Sequence, residues 1–136
     1  MNLTTIIPVH QFDDKIEILL TAALDSVLKQ DKIGDDRPPV LVVYAAALDN
    51  NETFKTYLNS KAIKGLDVTY IKNEGKTDFQ SQINFGVEKV ETDWFSILEF
   101  DDELSTTYYK NVLHHIEKMD NVDLFLPILV SPLPKL

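Results

Sequence analysis

DWFSILEFDDE, residues 93–103, is the stretch that decides the fold of this chain. Its first part is a mostly apolar run, residues 94–100, rich in aromatic and β-forming side chains, which predicts a strand buried on both faces of a sheet. Asp and Glu are poor strand formers, so the acids between Glu99 and Glu103 mark the end of that strand. The stretch therefore predicts a buried strand that carries carboxylates at its C-terminal end.

These acids are candidate ligands for a metal ion. Open α/β sheets bind their ligands at the carboxyl ends of the strands, and clustered carboxylates repel one another unless a positive charge lies among them. Carboxylate oxygens suit a hard divalent cation such as Mg²⁺ or Mn²⁺, alone or with a phosphate. An alternative interpretation is an ordinary acidic loop in which Asp102 and Ser105 cap the next helix. Both interpretations follow from the residues.

Length and composition favour one globular domain over residues 1–136. Hydrophobic residues make up 44% of the chain and charged residues 26%, which is typical of a globular domain with an ordinary core. The net charge of −9 disfavours nucleic acid and anionic membrane surfaces as partners. The chain has no cysteine, which excludes a disulfide framework and thiolate chemistry.

No targeting or membrane-spanning segment is predicted. The N-terminus lacks the basic and long apolar regions of a signal peptide. No stretch reaches the roughly 18 to 20 apolar residues that a membrane span requires. We therefore expect a cytoplasmic protein.

Strand-like and helix-like runs alternate along the chain. The other predicted strands cover residues 3–9, 40–44 and 68–71, and the apolar run 122–130, interrupted by Pro127, suits an edge strand. The predicted helices begin at Asp13, near residues 49–52, at Asp78 and at Ser105. Strands alternating with helices of this length predict an α/β fold, a mainly parallel sheet with helices on both faces.

Four segments resemble motifs of the family 2 glycosyltransferases. TIIPVH (residues 5–10) is similar to the family's opening strand, which ends in Ile-Pro-Val-Tyr-Asn, and LDSVLKQ (24–30) is similar to its Leu-x-Ser-Val-Leu-x-Gln helix. NFG (84–86) corresponds to the end of Ala-Arg-Asn-x-Gly, and LEFDDE (98–103) to Leu-Asp-Ala-Asp-Asp, which holds the metal-binding Asp-x-Asp. The resemblance implies the Rossmann-like GT-A fold of the nucleotide-diphospho-sugar transferase superfamily.

The resemblance also implies a metal-dependent glycosyltransferase and its binding residues. The implied nucleotide-sugar-binding residues are Pro8, His10, Tyr44, Asn84 and Asp101, and the implied ligands of Mn²⁺ or Mg²⁺ are Glu99, Asp101 and Asp102. Family members are generally longer, and their later half supplies the acceptor site and the general base. The resemblance therefore describes a truncated form and assigns no catalytic residue to this chain.

Several donor-contacting positions depart from the family pattern. The second strand of the family ends in acids, as in VVDDGS, whereas residues 42–47 here are VVYAAA. Ile83 takes the place of an arginine, and Glu99 that of the first Asp of the metal motif. These departures support an alternative hypothesis, a degenerate GT-A-like domain that serves as a structural or interaction component of a larger assembly, for example a virus particle. The sequence leaves open both the glycosyltransferase and this inactive domain, and therefore whether the chain is an enzyme.

Overall fold

A computed structural model describes residues 2–31, 33, 37–60 and 64–127 of the chain. Its strands are β1 (Leu3–Val9), β2 (Val40–Ala45), β3 (Val68–Asn73) and β4 (Trp94–Ile97). Its α-helices are α1 (Asp14–Leu28), α2 (Glu52–Ser60), α3 (Phe79–Val87) and α4 (Tyr108–Lys118), and a 3₁₀ helix covers Ala46–Asn50. All the strand pairs are parallel and the strand order is β3-β2-β1-β4, which confirms the predicted α/β fold.

β1 runs through the middle of the sheet and is buried along its whole length. Side chains alternate between the two faces of a strand. Ile7 and Val9 therefore join a core formed with α1, α2 and α4, while Ile6 points the other way and packs with Val43 and Ile83 of α3. The sheet thus has helices on both faces, as the sequence predicts.

Two helices begin at caps that the sequence predicts. Asp13 Oδ1 accepts a hydrogen bond from the Ile16 N–H (2.8 Å) at the start of α1. Asp78 Oδ2 accepts one from the Ser81 N–H (3.1 Å) at the start of α3. The Ser81 hydroxyl and N–H together hold the pKa of Asp78 below its ordinary value. Each cap satisfies an amide at the helix start that has no partner within the helix.

Gly86 lets α3 approach the sheet closely, as its place on the buried side of that helix predicts. A Cβ atom at this position would lie 2.9 Å from Ile6 Cγ2 and 3.1 Å from Val43 Cγ2. Real Cβ atoms essentially never come as close as the shorter of these distances. The absence of a side chain at Gly86 therefore sets the distance between α3 and the strands beneath it.

The prediction that the acid-tipped strand is buried on both faces is wrong. β4 ends at Ile97 and not at residue 100, and among the described residues it lies at the edge of the sheet. Phe95 and Ile97, which point to the same face, are each 43% exposed. An apolar run of this kind suits a central strand or an edge strand equally well, because periodicity does not report strand order.

Two further predictions about the C-terminal part are corrected. Ser105 does not cap α4, because the helix begins at Tyr108 and its N-cap residue, Thr107, makes no side-chain capping hydrogen bond. Residues 122–127 form no strand, and the rest of the predicted edge strand, residues 128–130, lies outside the described residues. Within the described part of the chain, no helix is long and apolar enough to cross a bilayer.

Candidate functional site

The predicted metal ligands lie in a tight turn that follows β4 directly. The Leu98 N–H donates to the Ile6 carbonyl (2.9 Å), which extends the pairing with β1 by one hydrogen bond. The Asp102 N–H then donates to the Glu99 carbonyl (3.1 Å) and closes a four-residue turn. One carboxylate oxygen from each of Glu99, Asp101 and Asp102 lies within 4.8 Å of the others. We name residues 99–102 the acidic turn.

The donor set of the acidic turn suits a hard divalent cation. Its three candidate ligands are all carboxylates, the oxygen donors that Mg²⁺ and Mn²⁺ prefer, and all three are exposed. Because the site opens to solvent, water or a phosphate oxygen can complete the coordination of an ion. Glu103 is not part of this group. Its charge acts on Lys29, the residue that follows α1, whose pKa is raised mainly by a hydrogen bond to Asp25 and to a smaller extent by Glu103.

Pro8 and His10 lie at the end of β1, beside the strand that leads into the acidic turn. β1 and β4 pair in parallel, so the expected neighbourhood of the two strands is confirmed, and both chains leave the sheet at the same edge. Pro8 is buried and His10 is exposed. Among the described residues, no histidine joins the group of three carboxylates. Donor binding by Pro8 and His10 stays a prediction.

Tyr44 lies further from the acidic turn, because β1 separates its strand from β4. Two strand spacings correspond to about 10 Å. The Tyr44 ring packs against Phe54, with 5.0 Å between the ring centroids. Burial raises the pKa of Tyr44, and the Asp49 carboxylate raises it further. Tyr44 is therefore positioned by α2 and by the 3₁₀ helix that follows its own strand.

A charged pair that the sequence does not single out lies beside Tyr44. Lys72 Nζ of β3 donates to Asp49 Oδ2 of the 3₁₀ helix (3.0 Å), and this bond raises the pKa of Lys72. Asp49 places a carboxylate near the end of β2, where the strand itself has none. Local patterns show Asp49 only as a residue at a helix start, because its partner is 23 positions away.

The carboxyl ends of three strands are joined through a buried amide of α3. Gln82 Nε2 donates to the Val9 carbonyl (3.0 Å) and is 3.4 Å from the Val43 carbonyl oxygen. Gln82 Oε1 accepts from Asn73 Nδ2 (2.8 Å) at the end of β3. Gln82 is 1% exposed. One sequence signal could have found it, because Gln82 is a polar residue on the inward stripe of α3, and a buried polar group requires partners.

Asn84 follows Gln82 in α3 but is exposed. The helix that carries Asn84 packs on the face of the sheet opposite to α1. The predicted contact of Asn84 with a nucleotide sugar stays a prediction.

Comparisons with known proteins agree with this architecture. The sequence model described as "Glycosyl transferase family 2" matches residues 4–131. The crystal structure of S. aureus TarS 1–349 matches with a TM-score of 0.63 at 19% identity, over 87% of this chain and 33% of that chain. This likeness shows a shared GT-A-type α/β fold, and the chain spans about a third of the length of TarS 1–349. A comparison with curated proteins finds no match.

The family match covers nearly the whole chain, including the strand that ends in the acidic turn. It also covers all the helices and strands of the described residues apart from the first residue of β1. The chain belongs to glycosyl transferase family 2.

Proposed function

We propose that this chain is the donor-binding part of a glycosyltransferase and holds a nucleotide-diphospho-sugar through a divalent metal ion. The acidic turn is the observation that carries the proposal. Its three carboxylate oxygens lie within 4.8 Å of one another, at the carboxyl end of a strand where α/β folds bind ligands. Membership of glycosyl transferase family 2 supports a sugar nucleotide as the ligand class.

The residues of the acidic turn have one role in this proposal. Glu99, Asp101 and Asp102 bind Mn²⁺ or Mg²⁺ through carboxylate oxygens and leave the solvent side for the donor. The ion, when bound, supplies positive charge to the diphosphate that leaves in the transfer. His10, exposed at the end of the adjacent β1, is assigned in this proposal to donate a hydrogen bond to a phosphate oxygen. Because metal binding uses all three carboxylates of the acidic turn, the loss of one carboxylate is expected to weaken the binding of the ion.

Thermal unfolding in the presence of nucleotide and metal tests the proposal. We expect UDP or GDP with Mn²⁺ to raise the Tm, because a ligand that binds only the folded state stabilises it. At about 100 times its Kd, a ligand adds roughly 2.7 kcal/mol to the free energy of unfolding, which corresponds to a Tm rise of roughly 10 °C for a domain of this size. Each nucleotide is measured with Mn²⁺ and with EDTA.

A matched pair of variants tests whether the Tm rise depends on the carboxylates of the acidic turn. Asp101→Asn is expected to remove the Mn²⁺-dependent Tm rise, because it removes one of the three converging carboxylates. Glu103→Gln makes the same change of charge two residues further on, outside the group, and is expected to keep the rise. Equal loss in both variants would point to general electrostatic attraction and not to a metal site.

The same titration tests the alternative of a domain without donor binding. The end of β2 supports that alternative, since residues 45–47 are alanines and the strand offers no carboxylate to a nucleotide base. A chain with native circular dichroism and no Tm shift with any nucleotide and Mn²⁺ would overturn the proposal. The role of the chain would then be structural or in binding another protein.

A further inference from the structure

The segment that follows the acidic turn is bound to the C-terminal end of α1. The Leu104 N–H donates to Ser26 Oγ (3.0 Å), a contact between residues 78 positions apart. Two residues later, the Thr106 carbonyl accepts a hydrogen bond from the Asp31 N–H (2.7 Å). The backbone after the acidic turn is therefore held by the first helix of the chain and not only by its own neighbours.

Gln30 binds the same segment with both ends of its side-chain amide. Its Nε2 group donates to the Ser105 carbonyl (2.6 Å) and to the Ser26 carbonyl (3.0 Å). Its Oε1 atom accepts from the Tyr109 N–H (3.0 Å). Gln30 is 7% exposed and Ser26 is 9% exposed. Because a buried amide with both donors and its acceptor engaged loses hydrogen bonds if it moves, this arrangement resists displacement.

The sheet anchors the acidic turn at its other end. Leu98 is 3% exposed, and its N–H donates to the Ile6 carbonyl (2.9 Å). Only residues 99–103 thus lie between a fixed point on the sheet and the fixed point at Leu104 on α1. Anchoring both ends of a short segment reduces the conformational entropy that is lost when its side chains converge on a ligand.

We infer that Ser26 and Gln30 are positioning residues that hold the acidic turn in the arrangement where its carboxylates converge. Both act through the backbone of residues 104–109 and not through the carboxylates. Gln30 lies two residues beyond the end of α1, and its Nε2 group donates to the Ser26 carbonyl (3.0 Å), so the two residues are joined to each other as well as to this segment. The consequence for cation binding rests on the proposed function, whereas the consequence for the order of the turn does not.

The order of the acidic turn in the metal-free protein is the first test. ¹⁵N relaxation is measured at the Asp101 and Asp102 amides, where we expect order parameters near 0.85 in the unmodified chain, about the value of a rigid backbone. In Ser26→Ala they are expected to fall to about 0.6 or below, the range of flexible segments. Unchanged order parameters in that variant would overturn the inference, whether or not a metal binds.

Ser60→Ala is the matched control for the loss of a helix hydroxyl. Ser60 Oγ donates to the Tyr57 carbonyl (2.7 Å), as Ser26 Oγ donates to the Ala23 carbonyl (2.6 Å). The Ser60 hydroxyl bonds within its own helix, α2, whereas the Ser26 hydroxyl also accepts a hydrogen bond from the Leu104 N–H. We expect this control to leave the order parameters of the turn unchanged, and a fall in both variants would show a general loss of stability.

Titration with Mn²⁺ alone is the second test. Loss of a partner that orients metal ligands typically costs tenfold or more in affinity, so we expect Ser26→Ala to raise the Kd about tenfold, with Ser60→Ala unchanged. Gln30→Met, which keeps the length of the side chain but not its amide, is expected to raise the Kd further. If Gln30→Met does not fold, the result for Ser26→Ala alone decides the test. A lower Tm with an unchanged Kd would reduce both residues to a structural role.

The two tests separate this inference from the proposed function. No Mn²⁺ binding by the unmodified chain would contradict the metal site, and the relaxation measurement would still decide whether Ser26 and Gln30 hold the turn. A normal Kd in Ser26→Ala with a disordered turn would overturn the positioning role while the metal site survives.

Discussion

The two faces of the sheet are covered to very different extents. On the face that Ile7 and Val9 share, α1, α2 and α4 complete a core of sixteen buried residues among those described. On the opposite face, α3 buries only Ile6, Val43 and Ile83. We call these the covered face and the open face. Since hydrophobic stabilisation is roughly proportional to the apolar area removed from water, most of it comes from the covered face.

β4 shows the same contrast within one strand. Ser96, which points to the covered face, is 9% exposed, whereas Phe95 and Ile97 on the open face are each 43% exposed. The two faces of this strand therefore differ in burial: its small polar side chain is covered, whereas its two large apolar side chains are partly open to solvent. Because a side chain stabilises the fold by the apolar area that it removes from water, Phe95 and Ile97 contribute less than their size suggests.

The largest effect is expected on the covered face, from Ile7→Ala. Ile7 is completely buried in the middle of the sheet, so the substitution removes apolar contact and leaves a cavity. We expect a loss of about 3 to 5 kcal/mol in the free energy of unfolding, measured by urea denaturation. A loss below about 1 kcal/mol would contradict the view that the covered face carries the stability.

An intermediate effect is expected from Gly86→Ala, where α3 meets the open face. Alanine favours a helix over glycine by about 1 kcal/mol, but the new methyl group would collide with Ile6 and Val43. Both are stiff β-branched residues, and overpacking of this kind costs about 1 to 3 kcal/mol. We expect a net loss of about 1 kcal/mol in urea denaturation. Gln80→Ala, at an exposed position of the same helix, is the control and is expected to be neutral or slightly stabilising.

The smallest effect is expected from Ile97→Ala, the open-face counterpart of Ile7→Ala. Ile97 pairs with Ile6 across the sheet but is 43% exposed, so much of its side chain already contacts water. We expect a loss of about 1 kcal/mol or less under the same conditions. A loss as large as that of Ile7→Ala would show that this face is covered in solution, which the described residues alone do not explain.

Local signals predict the early elements of the chain well. β1 has the predicted bounds, and α1 and α3 begin after the predicted caps Asp13 and Asp78. In each case the signal is short-ranged, an alternation of side chains in a strand or a carboxylate that accepts a hydrogen bond three residues on. Such contacts form within a few residues, so the order of the amino acids is enough to predict them.

The predictions that fail concern tertiary position. The apolar run before the acidic turn predicts a strand buried on both faces, but β4 lies at the edge of the described sheet. Ser105 has the residue type of a helix cap, but its carbonyl accepts hydrogen bonds from Gln30 and Tyr108 instead, and α4 begins later. In the first case the local pattern does not report strand order, and in the second a contact with a distant segment overrides a local preference.

The candidate site likewise has features that the sequence predicts and features that depend on tertiary contacts. Glu99, Asp101 and Asp102 are close in the sequence, so their pattern alone identifies them as possible ligands. Their convergence depends on the turn after β4, and that turn is anchored through Ser26 and Gln30, more than 70 positions away. The links of Asp49 to Lys72 and of Gln82 to the strand ends likewise join separate elements.

By itself, the sequence determined where the main strands and helices lie, which residues resemble a family 2 glycosyltransferase, and which carboxylates are candidates for a metal. Only the tertiary structure decided the order of the strands, the exposure of one face of β4 and the anchoring of the acidic turn on α1. The physical reason is the separation along the chain of the residues that each interaction joins. Periodicity and capping act over a few residues, whereas burial and the hydrogen bonds of loops depend on segments that meet only when the chain is folded.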